Sequence, residues 1–184
     1  MLTRHLTAAV QDALSDTPAV LLVGARQVGK STLAQLTQPG RPVLTFDDLD
    51  TLTAALSDPQ GFVAGLPGAV TLDEIQRVPG LFLPLKAAID RQRTAGRFLL
   101  TGSANVLTLP AVADSLAGRL EVLTLWPLSQ GELGGQQEHF IDLAFGDTSP
   151  PLPLTGLPEV PAAGRLPGGP GTHPGPPPGI FPPT

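Results

Sequence analysis

The sequence contains no cysteine, and lysine is nearly absent: 2 lysines stand against 9 arginines in 184 residues. Without cysteine there is no disulfide and no thiolate-held zinc or iron–sulfur centre. Bases are also in short supply, 11 against 16 acids, for a net charge of −5. That balance disfavours an unspecific nucleic-acid or anionic-membrane surface, since both reward a basic face. Aromatic residues make up 4% of the chain, and no basic, aromatic-rich stretch suited to nucleic acid is present. No apolar run approaches the roughly 18 residues of a membrane span. The opening residues, Met1-Leu2-Thr3-Arg4-His5, lack the apolar core of a secretory signal. A cytoplasmic protein is expected, with one domain and an appendage.

What is abundant is unevenly spread. From Pro150 to Thr184 there are 13 prolines and 7 glycines in 35 residues, and the remaining 149 residues hold ordinary shares of both. A segment so rich in Pro and Gly cannot sustain helix or ladder hydrogen bonds, and it buries too little to offset its ordering entropy. Residues 150–184 are therefore expected to be a disordered tail and residues 1–149 the folded domain. The arginine-, Pro- and Gly-biased usage is that of GC-rich coding DNA. Two origins are open for the tail: a frameshift or truncation, and a genuine Pro-rich linker.

The body alternates two periodicities. Leu2, Leu6, Val10 and Leu14 repeat at helical spacing. Ala19 to Val23 reads as a buried strand, Ser31 to Leu36 as a helix, Val43 to Phe46 as a strand and Leu49 to Leu56 as a helix. Ala69 to Leu72 reads as a strand, Leu81 to Thr94 as a helix, Arg97 to Leu100 as a strand and Leu107 to Leu116 as a short helix or loop. Leu120 to Leu125 and Ser129 to Leu133 follow as strand and short helix. Continuous apolar strands separated by helices predict an α/β fold with a parallel sheet covered on both faces.

Chemistry concentrates at Gly24-Ala25-Arg26-Gln27-Val28-Gly29-Lys30-Ser31, which matches G-x-x-x-x-G-K-[ST] in full. Gly24 and Gly29 let the backbone wrap tightly, so that successive N–H groups point at phosphate oxygens. A helix starting near Lys30 adds its N-terminal dipole. In this pattern Lys30 reaches the β- and γ-phosphates, and the Ser31 hydroxyl ligates Mg²⁺. Thr32 is placed to add a contact to the α-phosphate. Arg26 faces either phosphate or solvent, with solvent preferred.

The strand Ala69-Val70-Thr71-Leu72 ends in Asp73-Glu74. In a parallel sheet, ligands sit beyond the C-terminal strand ends. Asp73 is expected to hold Mg²⁺, largely through water. Glu74, pointing away from Asp73 by strand alternation, is expected to take a proton from a water attacking the γ-phosphate. Thr101 or Ser103, ending the Phe98 strand, would hydrogen-bond that water or the γ-phosphate if the strand lies between the first and third. Arg119, ahead of the fifth strand, is read either as an arginine finger, in its own subunit or a neighbour's, or as a surface salt-bridge partner. Asp47 and Asp48 are solvated or cap the next helix. His5, His139 and His173 are too scattered for a metal cluster.

Taken together, Gly24 to Ser31, Val70 to Glu74, Leu99 to Ser103 and Ala117-Gly118-Arg119 resemble an AAA+-type ATPase. More narrowly, the chain resembles prokaryotic AAA-domain ATPases that continue into a C-terminal domain of unknown function. Leu72-Asp73-Glu74-Ile75-Gln76 and Leu125-Trp126-Pro127-Leu128-Ser129-Gln130-Gly131-Glu132 carry that narrower likeness, which covers about Met1 to Gly146. The resemblance implies a P-loop NTPase of three αβα layers, with a five-stranded parallel sheet in the order 5-1-4-3-2, and it implies ATP with Mg²⁺. It makes the chain an apparently truncated member.

Two functions follow as expectations. One is Mg²⁺-dependent ATP hydrolysis, with Lys30, Glu74, Ser103 and Arg119 acting on the γ-phosphate. The other is a switch or truncated ATPase that binds ATP without significant turnover. A protein partner or homo-oligomer is left open, and membrane and nucleic acid are not expected.

Overall fold

The computed structural model describes residues 4–103, 106 and 118–135. These fall within one compact unit, Met1–Glu138. The expected short helix or loop at 107–116 and the Pro/Gly tail at 150–184 lie outside the described residues.

Five strands form one parallel sheet: β1 (Ala19–Gly24), β2 (Val43–Thr45), β3 (Val70–Asp73), β4 (Phe98–Ser103) and β5 (Leu120–Thr124). Their spatial order is β2-β3-β4-β1-β5, which is the expected 5-1-4-3-2 read from the other edge. The central strand β1 is buried along all six residues, as a strand covered on both faces must be. Its side chains alternate between two cores. Ala19, Leu21 and Val23 pack with Phe98, Leu100, Val70 and Leu72 on one face. Val20 and Leu22 pack with Leu99 on the other.

The helices make the outer layers. α1 (Leu6–Asp16) and α2 (Lys30–Thr37) cover the face of Val20 and Leu22 through Val10, Leu14, Leu33 and Ala34. α3 (Leu49–Ser57), α4 (Pro59–Ala64) and α5 (Phe82–Arg91) cover the opposite face through Ala55, Val63, Phe82, Leu85 and Ile89. A last helix, α6 (Gln130–Gly134), follows β5. Among the described residues no helix is long and apolar enough to cross a membrane.

Local chemistry explains the boundaries. The Asp48 carboxylate accepts from the Thr51 N–H at 2.8 Å and starts α3. The N–H and hydroxyl of Thr51 hold the Asp48 carboxyl below its ordinary range. Asp47 is instead paired across the surface with Arg77. The helix α4 was not expected, because six residues containing a Pro and a Gly show no helical period. Its signal was the cap: Asp58 accepts from Gly61 N–H, and Pro59 opens the first turn, where no backbone donor is needed.

Two strand ends bear on the site. β4 runs from Phe98 through Thr101 and Gly102 to Ser103. β3 ends at Asp73, and Glu74 adopts a left-handed conformation with φ 61° and ψ 43°. The expectation that strand alternation would aim Glu74 is thereby corrected: a turn sets its direction, followed by a short 3₁₀ segment at Ile75–Arg77.

Candidate functional site

β1 delivers the chain to Gly24 at the C-terminal edge of the sheet, and α2 begins at Lys30. Between them the loop turns back through two left-handed residues, Gln27 (φ 65°) and Gly29 (φ 93°). Glycine takes that conformation without steric cost, whereas Gln27 is strained there. Gly24 is required for another reason. A Cβ at this position would lie 2.3 Å from the backbone oxygen of Leu125. Gly24→Ala should therefore destabilise the fold by about 1–3 kcal/mol, the usual scale of overpacking; urea denaturation would measure it.

Lys30 is 5% exposed, and its ammonium donates to the carbonyls of Gly24 (3.2 Å) and Ala25 (2.8 Å). It thus lies within the loop's own curve. Ser31, next in the same helical turn, donates its hydroxyl proton to Asp73 Oδ1 at 2.7 Å. Residues 42 apart in sequence are joined because β3 and the loop reach the same edge. Thr32 is exposed in the first turn of α2, and Ala25, Arg26 and Gln27 are exposed along the loop.

Asp73 is held by more donors than the sequence suggested. Its buried carboxylate also accepts from Thr45 at the end of β2 (3.3 Å) and from Thr101 on β4. Three hydroxyls from three elements thus fix one carboxylate. Thr101 is fully buried, and its oxygen accepts the Glu74 N–H at 3.2 Å. That arrangement makes Thr101 a positioning group for the two acids.

Ser103 lies beside the loop. β4 sits between β1 and β3, and in its register Ser103 is the direct partner of Gly24. A link to Glu74 runs through Gln76. The Gln76 amide nitrogen donates to the Glu74 carboxylate, and its amide oxygen accepts the Ser103 N–H at 3.2 Å. Neither Thr45 nor Gln76 was given a role from sequence, although Gln76 belongs to the segment that carries the family likeness. Both are ordinary polar residues until the sheet brings them together.

Arg119 is not brought to this edge. Its carbonyl accepts from the N–H of Ala19, the first residue of β1, and its guanidinium pairs with Asp90 on α5. That ion pair holds the Asp90 carboxyl below its ordinary range. Six strand residues at about 3.3 Å each separate this end of the sheet from the loop.

A second ionic group was also missed. Arg4, ahead of α1, donates to Glu132 Oε1 at 3.0 Å, to the Val28 carbonyl at 2.8 Å and to the Trp126 carbonyl. Glu132 additionally accepts the N–H groups of His5 and Ser129 and completes a capping box on α6. Burial opposes ionisation of Glu132, but the Ser129 and His5 N–H groups and Arg4 outweigh it and hold the carboxyl below its usual range. A group with a lowered folded pKa contributes stability that is full above the unfolded value, about 4.3, and is lost as pH falls through the folded one. Thermal midpoints should fall on acidification through that window, and less steeply in Glu132→Gln.

Among the described residues no group of three or more His, Asp or Glu side chains is placed to hold a metal. Ser31 and Asp73 do suit Mg²⁺, which takes one or two protein oxygens and completes its shell with water and phosphate.

A parallel αβα sheet carrying a G-x-x-x-x-G-K-[ST] loop between β1 and α2 defines a P-loop nucleotide-binding protein. The family model for an AAA domain (AAA_14) matches residues 16–134, and the chain belongs to that family. Two uncharacterized proteins, from Mycobacterium bovis and Mycobacterium tuberculosis, are each 40% identical over 132 residues. The match covers 71% of this chain but 30% of each relative, so the chain spans about a third of their length. Among solved structures, a Walker-type ATPase of Pyrococcus abyssi is similar at 17% identity, with a TM-score of 0.46 over 72% of this chain and 55% of that one.

Proposed function

We propose that this domain binds MgATP and hydrolyses its β–γ phosphoanhydride. The observation that carries the reading is the Ser31–Asp73 hydrogen bond at 2.7 Å beside the buried Lys30 ammonium. One edge of the sheet thus presents a cation, a hydroxyl and a carboxylate together. Lys30 and the loop amides would bind the phosphate chain, with Thr32 at the α-phosphate. Ser31 and Asp73 would hold Mg²⁺, which when bound neutralises charge on the phosphate oxygens. Ser103, next to Gly24, would contact the γ-phosphate. Glu74 would orient the attacking water and accept its proton, with Gln76 and Thr101 holding it in place. Arg119, at the far end of the sheet, would serve only a neighbouring copy's site.

Calorimetric titration of the full chain with ATP and GTP, with and without Mg²⁺, tests the reading, followed by steady-state phosphate release. Tight Mg²⁺-dependent ATP binding with release supports it. Binding without release reduces it to a nucleotide switch, and no binding overturns it.

A further inference from the structure

We infer that Arg4 is a positioning residue for the phosphate loop: its guanidinium sets the Val28–Gly29 peptide so that the Gly29 N–H is aimed at the phosphates of a bound nucleotide. The inference rests on the nucleotide-binding reading of the loop.

Arg4 lies 24 residues before Val28, outside the loop motif, yet its Nη1 donates to the Val28 carbonyl at 2.8 Å. In a planar trans peptide the C=O and the following N–H point in opposite directions. Holding the Val28 oxygen toward Arg4 therefore turns the Gly29 N–H away from it. The adjacent Gly29, with φ 93°, is a residue for which alternative peptide orientations cost little. A fixed donor on the carbonyl supplies the direction that glycine itself does not.

The guanidinium is in turn immobilised. Its side chain is 10% exposed and Glu132 is 6% exposed. Nε donates to Glu132 and Nη2 to the Trp126 carbonyl. Glu132 is locked by the N–H groups of His5 and Ser129. The planar fork of arginine serves three acceptors at once, which a lysine ammonium on a flexible stem cannot reproduce. The strap thereby ties the loop to the segment after β5.

The test uses the full chain and its Arg4→Ala and Arg4→Lys variants. Each is titrated with MgATP and MgADP well below its own thermal midpoint, with Lys30→Ala as control. Arg4→Ala should bind both nucleotides about tenfold more weakly, the scale of one charge-assisted hydrogen bond. Arg4→Lys can keep the ion pair with Glu132, so its midpoint should stay near wild type while its affinity still falls several-fold. A side chain that only held the fold together would lower the midpoint and leave the affinity of folded protein unchanged. Affinities within twofold of wild type in the folded variants overturn the inference.

Should neither variant fold, the wild type decides by NMR. The Gly29 amide resonance must shift on adding MgADP, and its failure to move overturns the proposal. If Lys30→Ala loses binding while the Arg4 variants keep it, only the role of Arg4 falls. If the wild type binds no nucleotide, the reading of the loop falls with it.

Discussion

Lys30→Ala should bind MgATP on the order of 100-fold more weakly than wild type, the effect expected when two charge-assisted hydrogen bonds are lost. Lys30 is buried within the loop and donates to the Gly24 and Ala25 carbonyls. A phosphate chain offers the same donors oxygens that carry full negative charge, so the ammonium gains by exchanging partners. No second lysine can substitute, because Lys86 lies on α5, on the opposite face of the sheet from α2. Truncation also frees the two carbonyls, so a modest change in thermal midpoint should accompany the loss. Calorimetry with MgATP at a temperature where both proteins are folded separates the two effects. Unchanged affinity would remove the loop from nucleotide binding.

Glu74→Gln should leave MgATP affinity within about threefold and lower the rate of phosphate release about 100-fold or more, the range a general base contributes. The substitution preserves shape and hydrogen bonding but not the capacity to take a proton. Glu74 sits in a left-handed conformation that costs an ordinary residue about 1–2 kcal/mol. It is maintained there by the Thr101 hydroxyl on its N–H and by the Gln76 amide on its carboxylate. Strain retained at a strand end beside a phosphate loop is the pattern of a functional position. Equal release rates in wild type and Glu74→Gln, with equal binding, would take Glu74 out of the chemistry.

The elements most plainly legible in the sequence were those whose pattern is local. Ala19–Gly24 is apolar without interruption, so it reads as a strand covered on both faces. Val10, Leu14, Leu85 and Ile89 recur at helical spacing and are buried. The loop carries its own chemistry in contiguous letters, and the acids at 73 and 74 follow an apolar strand. The short helix at Pro59–Ala64 escaped because its evidence was a cap and not a period. What aims Glu74 was not legible, because a strand pattern does not reveal where its last residue leaves the ladder.

The chain by itself determined the α/β class, the phosphate loop and the acidic strand end, because each rests on residues adjacent in sequence or spaced by one helical or strand period. Tertiary structure alone decided the partners. Thr45, Thr101 and Ser31 converge on Asp73, and Arg4 reaches Val28 and Glu132 across 24 and 128 positions. It also separated Arg119 from the loop by setting them at opposite ends of the sheet. Hydrogen bonds and ion pairs act over about 3 Å of space, whatever the distance along the chain. Only the order and register of the strands could say which polar side chains meet.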